Sequence, residues 1–282
     1  PDSVVTIDYG AFQDCKNLTS VKIGNKVEII GSKAFSSTSL TQVVIPDSVV
    51  TIDYGAFQDC KNLTIVKIGN KVETIGNGAF RGTSLTEVVI PDNVITISSE
   101  AFYGVKTLTN VTIGKNVQTI GIGAFESTNL TEVDISDSVI TIGDDAFANT
   151  SLTNVKIGNK VLLIGTRAFN NTRLTEVVIP DSVIFIGTRA FDENVKLRFT
   201  PIKILFGKLG SYNNKVTFYI DRNYVYDSIY YKDNKYEIFD NDIYVKFLDE
   251  DGIDCGGLKN DFFHLLSKFI FNNFMAVSYT HL

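Results

Sequence analysis

The chain has 282 residues, of which 44% are hydrophobic, and its formal net charge is −6. This composition can fill a large core, and the length predicts one or two domains. Residues 1–196 carry a net charge of −5 and residues 197–282 a net charge of −1. Neither part has the basic excess that neutralises phosphates, so nucleic acid is excluded as an expected partner. No apolar run approaches the roughly 18 residues of a membrane span. No signal peptide is visible, but the chain begins at Pro1, inside a repeat, and we expect its native N-terminus to lie upstream.

An Ala-Phe pair recurs nine times, in steps of 22 or 23 residues. The pairs are Ala11-Phe12, Ala34-Phe35, Ala56-Phe57, Ala79-Phe80, Ala101-Phe102, Ala124-Phe125, Ala146-Phe147, Ala168-Phe169 and Ala190-Phe191. A fixed period of this length predicts a solenoid of stacked units.

Each unit begins with L-T-x-V-x-I, continues through Pro-Asp or Gly-Asn to x-V-x-x-I-G, and ends at Ala-Phe. The V-x-I alternation predicts a strand with one buried face. Pro-Asp and Gly-Asn favour turns. The second apolar pair, for example Val49 and Ile52, is expected to return to the core, and Ala-Phe is expected on a single helical turn with Phe inside. One unit cannot bury its apolar face alone, so stacked neighbours must form a continuous core.

A longer period of two units overlies the first. At the middle position of V-x-I, units with Lys (Lys22, Lys67 and Lys156) alternate with units with Val (Val44, Val89 and Val178). Residues 1–19 are identical to residues 46–64. This indicates either recent duplication of a two-unit cassette or an assembly error in repetitive sequence.

The motif P-x-S-V-x-x-I-G-x-x-A-F, with its L-T-x-V-x-I lead, resembles the BspA-type leucine-rich repeat over residues 1–196. The resemblance implies an α/β leucine-rich-repeat solenoid that is predominantly β, with a parallel sheet. It says little about function, because such repeats serve both as adhesins and as recognition modules in larger proteins.

The positions that flank the buried Val of V-x-I are predicted to face solvent and to form a partner-binding face. They are Gln42, Val44, Ile65, Lys67, Glu87, Val89, Asn110, Thr112, Glu132, Asp134, Asn154, Lys156, Glu176 and Val178. A contiguous face that mixes apolar and charged side chains suits a protein ligand. The alternative is that these residues only satisfy strand propensity and solubility.

Cys15 and Cys60 occupy the same repeat position two units apart, which places them roughly 10 Å from each other. A disulfide needs Cα atoms within about 7 Å. Both are therefore predicted to be buried thiols, and a reducing compartment such as the cytoplasm is favoured.

Six N-x-[ST] sequons occur, at Asn17, Asn62, Asn110, Asn129, Asn149 and Asn170. We interpret them as by-products of the repeat consensus, although in a secreted protein they would be glycan acceptors.

After Phe191 the period stops. Residues 192–206 are expected to cap the last turn of the solenoid, and residues 197–214 are assigned as a cap or linker. In residues 215–275 the sequence predicts a strand around Val245, an Asp/Gly turn, and then a helix with one apolar face. The turn lacks the complete calcium-loop pattern, and His264 has no companion ligands. No metal and no cofactor is expected.

This second segment resembles the opening of a HECT-type ubiquitin ligase domain over residues 215–274. The matching positions are Val245, Phe247, Gly252, Asp254, Gly256, Gly257, Phe262, Phe263, Leu265, Leu266, Ser267 and Phe271, with Arg222, Asp227 and Ser228 upstream. The chain departs from the family at Lys259-Asn260-Asp261, where the family has an Arg-Glu pair, which puts a local ion-pair network in doubt.

The resemblance implies that a longer parent protein accepts ubiquitin from a carrier (E2) enzyme onto a cysteine near its C-terminus, far beyond Leu282. Cys255 is not that nucleophile, because it occupies a variable position in the turn before the double Gly, and neither an activating basic partner nor a triad is evident around it. We therefore expect no catalytic residue and no transferase activity in this chain. Residues 276–282 match neither pattern and are interpreted as adapter-derived sequence or a disordered tail.

Three functions remain open at this point. The first is substrate recognition for a cytoplasmic HECT-type ligase. The second is a secreted or surface adhesin without enzymatic activity, and the third is a scaffold that assembles through its solenoid ends. The double-Gly turn followed by F-F-x-L-L-S favours the first.

Overall fold

The computed structural model describes residues 3–199. Seventeen short strands and no helix occur in this range. In chain order the strands are β1 (Thr6–Ile7), β2 (Ile29–Ile30), β3 (Gln42–Val44), β4 (Thr51–Ile52), β5 (Ile65–Lys67), β6 (Thr74–Ile75), β7 (Glu87–Val89), β8 (Thr96–Ile97), β9 (Asn110–Thr112), β10 (Thr119–Ile120), β11 (Glu132–Asp134), β12 (Thr141–Ile142), β13 (Asn154–Lys156), β14 (Leu163–Ile164), β15 (Glu176–Ile179), β16 (Phe185–Ile186) and β17 (Lys196–Phe199).

Two sets of parallel strands run along the solenoid. The two-residue strands form one nine-stranded sheet in the order β1-β2-β4-β6-β8-β10-β12-β14-β16. The V-x-I strands form the second set, in which hydrogen-bonded pairs join β3 to β5, β7 to β9, β11 to β13 and β15 to β17. Each pairing advances by one repeat, as Val43 opposite Val66 shows. The predicted solenoid with parallel strands is therefore confirmed over the described residues.

The core lies between the two sets of strands. In one coil, Val43, Ile45, Val49, Ile52 and Phe57 are each at most 2% exposed. The prediction that the second apolar pair returns to the core is therefore confirmed. Because every coil supplies the same inward residues, each unit completes the apolar surface of its neighbours.

A column of stacked phenylalanine rings runs along the solenoid; its rings are buried from Phe35 onward, whereas Phe12, in the first described coil, is 39% exposed. The column joins the nine predicted Phe residues, from Phe12 to Phe191, with ring centroids 5.1–5.3 Å apart and planes inclined by 3–9°. The small Ala before each Phe is also buried, at 0% exposure for Ala56. The small methyl side chain at this position lets adjacent coils approach closely.

The Ala-Phe segment is not the single helical turn that the sequence led us to expect. Alternate N–H groups bond within the coil and to the next one: Gln58 N donates to Gly55 O at 2.9 Å, whereas Phe57 N donates to Ala79 O at 2.8 Å. Gly55 and Asp59 both have φ of +57°. Such left-handed residues interrupt a right-handed helix, so the segment forms successive turns that are hydrogen-bonded from coil to coil.

The two-unit cassette has a physical basis at the turn after V-x-I. A Cβ on Gly69 would collide with the carbonyl oxygen of Pro46 in the preceding coil. The carboxylate of Asp47 accepts a 2.7 Å hydrogen bond from Asn70 N. A coil with Pro-Asp at this corner is therefore followed by a coil with Gly, and the same contact recurs where Ser136 replaces Pro and faces Gly158.

At the downstream end of the described residues, β17 pairs with β15 and places Leu197 opposite Val177. The parallel pairing thus reaches Phe199. The rest of the expected cap and linker, up to residue 214, and the segments expected at 215–275 and 276–282 lie outside the described residues.

Candidate functional site

All fourteen residues predicted to form the binding face are solvent-exposed. They occupy the first and third positions of seven V-x-I strands, while the central Val turns inward, as Val43 and Val88 do at 2% exposure each. We call this surface the ligand face. The structure shows where these side chains lie, and their role in binding stays a prediction.

Strand stacking arranges the ligand face in two columns. The first strand position gives one column and the third gives the other, with Gln42 opposite Ile65 and Val44 opposite Lys67. Four aliphatic side chains on it are largely exposed: Val44 at 61%, Ile65 at 59%, Val89 at 62% and Val178 at 51%. Solvated β-sheet faces normally carry polar side chains, so these exposed Val and Ile side chains are unusual for a solvated face.

Charge compensation differs between the two ends of the ligand face. Downstream, Lys156 Nζ lies 3.2 Å from an oxygen of Asp134, and Arg198 lies 2.6 Å from Glu176. Upstream, neither Lys67 nor Glu87 forms an ion pair within residues 3–199. The exposed pairs add little stability, typically ~0–1 kcal/mol each, but they neutralise Asp134, Lys156 and Glu176 locally, whereas Glu132 forms no ion pair within residues 3–199.

The nine-stranded sheet presents a second surface, which the sequence analysis did not single out. Thr51, Thr74, Thr96, Thr119 and Thr141 stack in register along it. In the last two coils Leu163 and Phe185 replace Thr, and they are 38% and 47% exposed. The replacement of Thr by Leu163 and Phe185 at this repeat position is the feature of the sequence from which the second surface could have been predicted.

The two cysteines of the solenoid have different environments. Cys60 is buried, as predicted, and its Sγ donates to Phe35 O at 3.0 Å and lies 3.2 Å from Thr38 Oγ1. Desolvation raises the pKa of the Cys60 thiol. The prediction for Cys15 is wrong, because Cys15 is exposed. The groups that cover the Cys60 side chain belong to the preceding coil. The structure describes no coil on the corresponding side of Cys15.

The sequons lie mostly at the surface. Asn17, Asn62, Asn110, Asn129 and Asn149 are exposed. Asn170 is half-buried, and its Nδ2 donates to Asp192 Oδ1 at 2.8 Å. Five of the six amides are therefore accessible, and accessibility alone does not distinguish a by-product of the repeat from a glycan acceptor.

Residues 3–199 contain no group of three or more His, Cys, Asp or Glu side chains placed to hold a metal ion. The described part of the chain likewise has no helix of the length and apolarity that crossing a membrane requires. His264, Cys255 and all the positions that resemble a HECT domain lie outside the described residues.

Stacked short coils, parallel strands and a continuous core of Val, Ile, Leu and Phe define the solenoid class of leucine-rich-repeat proteins. The family model described as BspA type Leucine rich repeat region matches residues 1–95 and 73–198, in six copies. The chain belongs to this family. The match does not extend to the segment with the HECT resemblance, and a search of curated proteins found no match.

Several solved structures are similar to this chain. A leucine-rich repeat protein from Bacteroides ovatus is 21% identical over 71% of this chain and 76% of its own, with a TM-score of 0.50. A leucine rich cell surface protein from Faecalibacterium prausnitzii is 23% identical over 70% of this chain and 69% of its own, with a TM-score of 0.38. The pneumococcal vaccine antigen PcpA is 17% identical over 71% of this chain and 60% of its own, with a TM-score of 0.39. The likeness to the Bacteroides ovatus structure supports the fold.

Proposed function

We propose that the solenoid recognises a protein ligand through the ligand face. The observation that supports this most directly is the set of exposed aliphatic side chains at Val44, Ile65, Val89 and Val178. They stand on strands whose inward residues are fixed in a packed core. Burying such side chains against a partner releases about 25 cal/mol per Å² of apolar surface, and a rigid support loses little conformational entropy on binding.

A matched pair of variants tests this proposal. The face variant carries Val44→Lys, Ile65→Lys and Val89→Lys. The control carries the same substitutions at Ile95, Ile122 and Ile140, which are also exposed, at 42%, 55% and 39%, but lie off the ligand face. Binders are selected against the wild-type chain from a random protein-fragment display library, and their affinities for both variants are measured.

The expected result is loss of binding to the face variant and retention of binding to the control for most selected binders. Circular dichroism of both variants checks that the solenoid is intact. Binders that tolerate the face variant but not the control would place recognition on the other surfaces and overturn the proposal.

We further propose that, in a longer parent protein, the solenoid selects substrates for a cytoplasmic HECT-type ubiquitin ligase. The support is the sequence resemblance at residues 215–274, in particular Gly256-Gly257 followed by Phe262-Phe263. In this proposal the parent is a ubiquitin-protein transferase and its second partner is a ubiquitin-carrying E2 enzyme, while the present chain carries no catalytic cysteine.

Long-read sequencing of the transcript through both ends tests the ligase proposal. A continuation past Phe274 into a few hundred residues with a cysteine near the C-terminus supports it, and replacing that cysteine by Ala should abolish ubiquitin transfer. A stop codon soon after Phe274, or a signal peptide before Pro1 together with glycans on the sequons, would favour a surface binding protein without enzymatic activity.

A further inference from the structure

Two lysines without ion-pair partners in residues 3–199 lie at the upstream end of the third-position column in a protein that is acidic overall: Lys67 belongs to the ligand face, and Lys22 lies one coil upstream of it. Lys22 occupies the same repeat position as Lys67, and both are exposed. Neither forms an ion pair within the described part of the chain. In the same column farther along, Lys156 is already paired with Asp134 at 3.2 Å. The uncompensated positive charge is thus confined to the upstream half.

These lysines alternate with exposed valines. Val44 pairs with Lys67 in register, and the coil of Lys22 lies beside that of Val44, since Thr41 N donates to Thr19 O at 3.2 Å. On the other side of Lys67 lies β7, which carries Val89. The third-position column therefore presents Lys22, Val44, Lys67 and Val89 in consecutive coils. We call this run the Lys-Val column.

The spacing of the Lys-Val column matches an α-helix. Hydrogen-bonded parallel strands stack about 4.7–4.9 Å apart, and the ring centroids of adjacent coils, which are 5.2–5.3 Å apart, set an upper bound on the rise from coil to coil. An α-helix rises about 5.4 Å per turn, so a helix lying along the solenoid axis advances about one turn per coil. An extended strand repeats its facing side chains every ~6.6–6.8 Å and loses register with the coils after one step.

We propose that the upstream half of the ligand face binds an amphipathic helix whose facing side chains alternate, turn by turn, between a carboxylate and an aliphatic group. Carboxylates at helix positions i and i+7 meet Lys22 and Lys67, and aliphatic residues at i+4 and i+11 meet Val44 and Val89. Ile65, in the neighbouring column, widens the apolar contact, and Glu87 lies in that column too. This inference rests on the proposed function and adds the chemistry of the partner.

Defined peptides test the inference on the whole 282-residue chain. The first probe is a helical peptide of about 15 residues, enough to cover four coils, with Glu at i and i+7 and Leu at i+4 and i+11. The second has the same composition in scrambled order, and the third has Lys in place of both Glu. Fluorescence anisotropy gives the Kd of each, and NMR gives the conformation of the bound peptide.

The first peptide is expected to bind in a helical conformation and at least about tenfold more tightly than the other two. Lys22→Glu with Lys67→Glu should weaken it by roughly tenfold or more and should strengthen the third peptide, because the charges are exchanged. Lys156→Glu, the matched lysine of the same column, should leave both affinities unchanged.

Other outcomes overturn the inference in distinguishable ways. If Val44→Lys with Ile65→Lys abolishes binding while the lysine variants do not, the ligand face binds but the charge assignment is wrong. If none of the face variants alters binding, both the inference and the proposed function fail. Three results would contradict a helical partner. They are equal affinity for the first and the scrambled peptide, an extended conformation of the bound peptide, and no binding of the first peptide.

Discussion

Two glycines of the solenoid are required for different reasons. Gly69 faces the backbone of the preceding coil, and any Cβ there would meet the Pro46 carbonyl oxygen. Gly104 has φ of +69° and open space around its Cα. The first glycine is needed for close packing between coils, and the second for a left-handed backbone conformation.

Replacing each glycine by alanine should separate these causes. Gly69→Ala must push two coils apart and is expected to destabilise the chain by roughly 2–3 kcal/mol, as overpacking does. Gly104→Ala only forces a left-handed alanine and is expected to cost about 1 kcal/mol. Urea denaturation followed by circular dichroism measures both. Equal losses in the two variants would mean that the contact with Pro46 relaxes without strain.

Glu126 provides a pH-dependent test at the same scale. Burial of its carboxylate, and next the nearby Asp145, raise the pKa of Glu126 above its ordinary value of 4.5, although Asn149 and Arg167 act in the opposite direction. The raised pKa means that the folded state favours the protonated form. The stabilisation from this group is fully present below pH 4.5 and is lost as the pH rises through the folded-state pKa.

Glu126→Gln mimics the protonated side chain at every pH. The variant is therefore expected to be more stable than the wild type at pH 7, and the difference should disappear below pH 4.5. Denaturation midpoints of the two chains between pH 4 and pH 8 provide the measurement. A difference that stays constant across this range would assign the effect to packing and not to ionisation.

At the scale of strands and turns, the period of the sequence was sufficient to predict which residues turn inward. Val43, Val49, Ile52 and Phe57 are buried because apolar residues recur at fixed repeat positions, and the same alternation identified the exposed ligand face. The local conformation of the Ala-Phe turn was not predictable in this way. Its two left-handed positions are filled by Asp, Lys, Glu or Arg in several coils, for example Lys33 and Arg189, and not only by Gly.

Contacts between coils also escaped the sequence analysis. The burial of Cys60 depends on Phe35 and Thr38 of the preceding coil, whereas Cys15 lies in the first described coil, which has no such neighbour in residues 3–199. The Thr ladder of the nine-stranded sheet was missed for a related reason. Single Thr residues carry no strong pattern, and only the parallel register brings them into one line.

At the scale of the whole solenoid, stability should be close to a sum over coils and the junctions between neighbours. Two kinds of junction alternate along the chain. In one, Gly69 packs under Pro46 and Asn70 N donates to Asp47. The same pattern recurs where Gly114 packs under Pro91 and Lys115 N donates to Asp92 at 3.0 Å. The repeating unit of the fold is therefore the cassette of two coils.

Two internal deletions test this conclusion. Deletion of residues 46–90 removes a whole cassette and joins Ile45 to Pro91, so that every remaining junction keeps its partner. Deletion of residues 69–90 removes only one coil, but it puts Pro91 in the place of Gly69, directly under Pro46. The shorter deletion is expected to be the more damaging, because Pro cannot fit where even a Cβ collides.

Thermal unfolding followed by circular dichroism provides the measurement. The cassette deletion should show a cooperative transition at a temperature near that of the parent chain, and the single-coil deletion should show a clearly lower transition temperature. If both deletions lower the transition in proportion to the number of coils removed, the individual coil is the unit of the fold, and the alternation of Pro-Asp and Gly-Asn corners has no energetic role.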